Sequence, residues 1–343
     1  MKKLIKGTIK YILIFFMIVM HTACAKNETQ EPAKTQFRED AVFAVNGIQV
    51  TLPEWNLYAL PILDETDNLY GKDIWNYKMN TEGKLFGEAL QEYIRDKIVN
   101  IKVVASKAEG LGISLSGDDR TEISIAAGEY MEKLDEEQQK KYNITKDLVE
   151  KVYADNLLAT KVYEYLTLNV DTTTDEKDVR FMVLRYIMLP KTYENKSGDQ
   201  VFYSDEEIAA RKAIMESIKS STEKNAKATL KDFESDDIVV TDLIIDYKGL
   251  TERLPEDMAG IVFWLRENEI SRILESDEAF FIFECVKLSD EDKTKAARIK
   301  IIEQREQQVF EEAYLEWKQD IDVENNDPVW KSITDSYNAY AEG

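Results

Sequence analysis

The sequence predicts an α+β fold in which a mainly helical module begins near residue 41, a smaller domain of strands and helices is set into the chain behind it, and a closing helix returns to the first module. Three observations predict this arrangement. Apolar residues recur every three to four positions from Leu85 to Ala108 and again from Thr145 to Leu166, the period of helices with one buried face. The polar break Asp171-Thr172-Thr173-Thr174-Asp175 is followed by a different pattern, a continuous apolar run over Phe181–Leu189. Beyond that domain, a helix over about 293–319 carries Ile299, Ile302, Val309, Phe310, Ala313 and Trp317, a stripe that requires a surface to cover it.

Order begins with a hairpin. Ala41-Val42-Phe43-Ala44-Val45 and Ile48-Gln49-Val50 flank Asn46-Gly47, the pair that supplies positive φ to a tight turn. Thr51-Leu52-Pro53-Glu54 reads as a capping box that starts a helix bearing Trp55, Leu57, Tyr58 and Leu60. In the next helix Phe86, Leu90, Ile94, Ile98, Ile101, Val104 and Ala108 share a face, and Gly110 and Gly112 stop it. The glycines of segment 110–117 follow a helix and lack the spacing of a phosphate-binding loop, so they read as a helix end and turn. A further helix opens near Ser116, and the one over 145–166 turns Leu148, Val152, Tyr153, Leu157, Leu158, Val162 and Leu166 inward.

In the second domain, Phe181–Leu189 closed by Pro190 is a strand buried on both faces. Ser204-Asp205-Glu206-Glu207 caps a helix with Ile208, Ile214, Met215 and Ile218 on one side. A strand follows at about 238–246, then a short helix at about 256–264, then a strong strand at about 279–288. Cys285, within Phe280-Phe281-Ile282-Phe283-Glu284-Cys285-Val286, reads as a packing residue of that last strand.

Residues 1–23 read as an export signal. Lys2, Lys3, Lys6 and Lys10 precede the apolar run Tyr11–Met20, and Thr22-Ala23 place small residues directly before Cys24, the expected site of lipid attachment. The run is well short of the roughly 20 residues that span a bilayer. Residues 24–40 are polar and form a tether. The expected division is thus signal 1–23, tether 24–40, helical module 41–170, second domain 176–290 and returning helix 291–343.

The net charge of −22 would become −26 once the signal lysines leave, which argues against a nucleic-acid partner, since binding a polyanion draws on clustered cations. The single histidine, His21, lies in the signal, so the exported chain has no imidazole for a Ser-His or Cys-His pair or a histidine metal site. Acylated Cys24 would leave Cys285 without a disulfide partner, and the carboxylates Asp118, Asp119, Asp236 and Asp237 lack the spacing of a calcium loop. No metal and no cofactor is expected.

Several stretches, taken in order, resemble the PrsA/SurA-like extracytoplasmic foldases. Val42-Phe43-Ala44-Val45-Asn46-Gly47-Ile48-Gln49-Val50-Thr51 is similar to the opening hairpin and helix entry of that family, and Ala105-Ser-Lys-Ala-Glu-Gly-Leu-Gly-Ile113 to the end of its long chaperone-domain helix. The second domain resembles a parvulin-type, four-stranded peptidyl-prolyl isomerase. Arg185-Tyr186-Ile187-Met188-Leu189 corresponds to the opening strand, with Tyr186 where the family has histidine. Trp264-Leu265-Arg266-Glu267-Asn268-Glu269-Ile270-Ser271 corresponds to the Leu-x-x-Gly-Glu-Ile-Ser turn, with Asn268 in place of glycine. Ala279-Phe280-Phe281-Ile282-Phe283 corresponds to the closing strand, with Phe281 where the second histidine stands. Asp242 falls where the family has a Gly-Gly-Asp-Leu-Gly turn, without its preceding glycines.

The resemblance implies a chaperone, anchored through Cys24 to the bacterial membrane, that binds unfolded exported proteins through apolar surface. Trp55, Tyr58, Trp75, Tyr77 and Trp317 are its candidate contacts in the helical module, with core packing as the plainer reading of each, since aromatic residues dominate cores as well as interfaces. It also implies a second possibility, an isomerase in which Asp242 and Tyr186 are catalytic and Met188, Met258, Phe263 and Phe281 bind the proline substrate. The plain alternative is that these apolar residues fill a core. A third possibility, the solute-binding lipoprotein of a transporter, would require two α/β lobes around a cleft.

Overall fold

The computed structural model describes residues 35–80 and 83–340. The export signal, Cys24 and most of the tether lie outside the described residues. The chain opens with β1 (Ala41–Val45), β2 (Ile48–Thr51) and α1 (Leu52–Tyr70), followed by α2 (Phe86–Ser106), α3 (Gly117–Lys133), α4 (Glu136–Tyr142) and α5 (Lys146–Thr167). Next come α6 (Glu176–Val179), β3 (Met182–Pro190), the hairpin of β4 (Thr192–Glu194) and β5 (Gln200–Phe202), and α7 (Asp205–Lys224). After these lie β6 (Val240–Ile245), α8 (Tyr247–Thr251), α9 (Glu256–Phe263), β7 (Leu274–Glu275) and β8 (Ala279–Lys287). The chain closes with α10 (Glu291–Lys318), β9 (Val323–Asn325) and α11 (Asp327–Tyr340). No helix among the described residues is long and apolar enough to cross a membrane.

The chain divides into two compact units. One comprises the described residues up to Asn169 together with those from Gln308 onward, and the other is Val170–Gln307, so the boundary falls inside α10. Within the first unit, Asn46 (φ 48°) and Gly47 (φ 79°) turn the β1–β2 hairpin, and β1 is shared by β2 and β9 in a three-stranded antiparallel sheet. Every residue of β1 is buried. It packs into one core with Trp55 and Tyr58 of α1, Ile94, Ile98, Ile101 and Val104 of α2, and Val149, Val152 and Val162 of α5.

The last part of the chain completes that core. Phe310 and Tyr314 of α10 and Ile333 and Tyr337 of α11 are buried in it. Polar bonds across long sequence separations fix their places. The Trp55 indole N–H donates to the Tyr337 hydroxyl at 3.3 Å, and the Asn326 amide donates to the Ala41 carbonyl at 2.7 Å. The helix expected over 291–343 is interrupted, since β9 separates α10 from α11, and that break is not anticipated by the sequence. The stripe on α10 is also narrower than expected, since Ile299 and Val309 are exposed and Tyr314 takes the buried position.

The start of α1 differs in one respect. The Thr51 hydroxyl accepts from the Glu54 N–H, as a cap should, but the Glu54 side chain does not reach back to complete a box. It is buried and bonded to Lys102 Nζ at 2.5 Å and Lys151 Nζ at 3.1 Å, and Lys102 also meets Asp155 at 2.7 Å. Burying a carboxylate is costly unless cations are paired with it, and the tertiary fold brings Lys102 and Lys151 to this one.

In the second unit a four-stranded sheet has the order β6-β3-β8-β7, and every pairing is antiparallel. The central strand β3 sends alternate side chains to opposite faces. Met182 and Leu184 face a core with Ile245, Leu250, Val262, Phe263, Phe283 and Cys285, roofed by α8 and α9. Ile187 and Leu189 face the other, with Phe280 and Ile282 of β8 and Met215 and Ile218 of α7. The box at the start of α7 is complete, Ser204 and Glu207 each bonding the other's backbone N–H.

Candidate functional site

Because side chains on a strand alternate, the register of β3 decides which candidate residues can meet. Tyr186 stands opposite Thr241 and Phe283, and Met188 opposite Phe281. These residues lie on the face that carries Leu184 and Phe263. The rings form a ladder along it. Tyr186 and Phe283 stack with centroids 5.4 Å apart, and Phe283 and Phe281 at 6.0 Å. Toward Met182 the face is closed by α8 and α9. Toward Met188 it opens, and Met188 itself is 44% exposed while Tyr186 and Phe281 are half-buried.

Asp242 belongs to the other face. It stands opposite Arg185, the neighbour of Tyr186, and the two form a bidentate pair with Arg185 Nε and Nη2 donating to the carboxylate at 2.7 and 3.0 Å. Arg185 also lies 3.7 Å from Glu284, which is buried and accepts from the Leu230 N–H at 2.8 Å. The Arg185 hydrogen bond holds the Asp242 carboxyl below the usual carboxylate range. The expected catalytic pairing of Asp242 with Tyr186 is therefore corrected. One residue of offset on a pleated strand puts the two on opposite sides of the sheet, and Asp242 is an arginine's ion-pair partner.

The expected substrate-binding set also divides. Met188 and Phe281 stand at the open end, and Met258 is partly buried against the core. Phe263 is fully buried and forms part of the floor, a correction to its role as a contact. Arg180, which the sequence did not single out, helps hold that floor. Its guanidinium lies 4.1 Å from the Phe263 ring centre and donates to the Phe263 carbonyl at 2.6 Å. A buried arginine stacked on an aromatic ring has no periodic signature that could reveal it.

The turn between α9 and β7 shows why asparagine can replace glycine at position 268. Asn268 adopts φ 64°, and asparagine is among the few residues other than glycine that tolerate this left-handed conformation. Its N–H donates to the Cys285 carbonyl at 2.7 Å. Three residues on, Ser271 is stitched to Phe283. The Ser271 N–H donates to the Phe283 carbonyl and the Phe283 N–H to the Ser271 hydroxyl, at 2.7 and 3.0 Å. The turn thus holds the centre of the aromatic ladder. Cys285 beyond it is fully buried, and burial pushes its thiol up to about 11.

In the first unit the aromatic candidates separate as well. Trp55, Tyr58 and Trp75 are enclosed in the core, Tyr58 accepting from Asn156 at 2.9 Å and the Trp75 indole donating to Asp67 at 2.7 Å. They are corrected from contacts to core residues. Trp317 packs partly against the same core. Tyr77, by contrast, is 59% exposed, and Leu69, Tyr70 and Met79 in the same stretch of chain are exposed too.

No protein-family model matches the chain, and no curated protein matches it. Solved structures do. A structure of the SurA-like chaperones PEB4 and Cj1289 of Campylobacter jejuni is 12% identical, the match covering 84% of this chain and 99% of that one with a TM-score of 0.29. The Bacillus subtilis PrsA structure is 14% identical over 80% of this chain and 90% of that one, with a TM-score of 0.22. The Bacillus cereus peptidylprolyl isomerase PrsA is 14% identical over 87% and 98%, with a TM-score of 0.26. At this identity and superposition, function rests on the chain's own residues.

Proposed function

We propose that this protein is an extracytoplasmic chaperone, held at the bacterial membrane through lipid on Cys24, that binds unfolded stretches of exported proteins. The observation that carries the reading is the open end of the aromatic ladder, where Met188, Tyr186 and Phe281 offer apolar area on a rigid sheet. Stacked rings present flat, weakly hydrated faces, and a methionine beside them adapts to varied side chains. Such a surface suits binding without chemistry, because no carboxylate or imidazole turns toward it from the neighbouring strands. The exposed segment with Leu69, Tyr70, Tyr77 and Met79 is the corresponding contact surface of the first unit. The absence of parallel strands among the described pairings counts against a transporter's binding lobes.

The test is suppression of aggregation of a chemically unfolded client. The wild-type protein should delay light scattering at about equimolar ratio, and Phe281→Ala with Met188→Ala should weaken client binding by about tenfold, the loss of roughly 1–2 kcal/mol of contact. No delay by the wild type would end the reading. In a proline-peptide assay the same protein should show no isomerisation above background, since Asp242 faces away from Tyr186. Metabolic labelling with radioactive palmitate tests the anchor, and a Cys24→Ser precursor should take up none.

A further inference from the structure

We propose that the outer edge of β6 binds an extended, positively charged polypeptide segment by strand addition. The strand lies at the end of the sheet with only β3 beside it. In an antiparallel pair every second residue turns its N–H and C=O away from the partner. Among the described residues, no backbone group of Val240–Ile245 bonds to anything beyond the β3 ladder. A row of backbone donors and acceptors is therefore open.

Folded proteins ordinarily blunt such an edge with charged side chains, lysine above all, or with proline, a bulge or very short length. β6 has no lysine, proline or bulge, and its one charge, Asp242, is paired inward with Arg185. Its sequence is Val-Thr-Asp-Leu-Ile-Ile, its six residues pair with β3 without a shift of register, and Ile244 is 43% exposed. Val239, just before it, is 70% exposed. The other ends of the two larger sheets differ, and β4 and β5 have only three residues each. β7 has two residues and β9 three, and on β2 the Gln49 side chain is tied to the backbone of Gln36 and Arg38.

Charge selects the occupant. Segment 234–246 contains Glu234, Asp236, Asp237, Asp242 and Asp246 and no lysine or arginine. Arg185 neutralises Asp242 and Lys231 pairs with Glu234, whereas no ion pair involves Asp236, Asp237 or Asp246 among the described residues. A second copy of the same strand would set acid against acid. A segment alternating apolar residues with lysine or arginine would gain main-chain bonds, contact with Ile244 and opposite charge together. This edge is separate from the aromatic ladder, so the two surfaces stand or fall independently.

The experiment titrates the full chain with two fluorescein-labelled ten-residue peptides that alternate valine with lysine or with glutamate. The lysine peptide should bind at least about tenfold more tightly at low salt, and amide hydrogen exchange should slow at Val240–Ile245 on binding. Asp236→Lys with Asp237→Lys, both in an exposed turn, should weaken binding by about tenfold. Ile244→Lys, an edge-blocking change at an exposed position, should weaken it similarly. Equal binding of both peptides would overturn the proposal. So would protection confined to the Tyr186–Phe281 ladder, which would leave the chaperone reading intact, or concentration-dependent self-association that slows exchange at β6 without peptide.

Discussion

In the first unit Trp55 and Trp75 are enclosed by helices and bonded through their indole nitrogens, while in the second Tyr186, Met188 and Phe281 stand half-open on a sheet. The difference follows from geometry. Helices meeting at several angles surround a large side chain, whereas a sheet face is covered only as far as the helices above it extend. Here α8 and α9 cover the Met182 end and stop short of Met188. Large aromatic residues therefore stabilise one unit and expose contact area in the other.

Removing a ring should separate the two roles. Trp55→Ala should lower unfolding stability by about 3–5 kcal/mol, as deletion of a fully buried aromatic does; urea unfolding would show it, and a loss under 1 kcal/mol would place Trp55 among the surface contacts after all. Charge sharpens the contrast. Lys102→Ala should cost about 2–3 kcal/mol, because it leaves buried Glu54 with Lys151 as its remaining partner. Asp242→Asn should cost less than about 1 kcal/mol by the same measurement, since its pair with Arg185 is solvent-screened.

The pH dependence of that pair has a definite sign. A carboxyl held low in the folded state adds stability above its unfolded value of about 3.9, and the contribution is lost as pH falls through the lower folded value. The stabilities of wild type and Asp242→Asn should therefore begin to converge as pH falls below about 4 and meet only below the folded value. The smallest effect expected is at Cys285. With its thiol pushed up to about 11, only about a thousandth is thiolate at pH 8, and reaction with a disulfide reagent should await unfolding.

Much of the fold is legible because it is local. The Asn46-Gly47 hairpin, the helix starts at Ser116 and Ser204 and the stripe of α2 depend on residues a few positions apart, whereas α5 is buried along Val149, Val152, Asn156, Ala159 and Val162 and so is turned from the expected face. The break in the closing helix depends on distant residues. β9 has three residues and becomes a strand only beside β1, and α11 is buried against β1, α1 and α2 from the far end of the chain. Glu54 likewise reads as half of a cap until Lys102 and Lys151 are brought to it.

For the candidate site the division is sharper. Apolar run, aromatic content and the lack of imidazole could all be read along the chain, because residue identity suffices for them, while the turn around Asn268 is legible only through the family resemblance. Which side of the sheet Asp242 occupies could not be read along the chain, since it follows from a pairing with Arg185 across 57 positions, and a shift of one residue would reverse it. Strand alternation has a period of two, so chemistry on a sheet is settled by register, and register is set only when the strands meet.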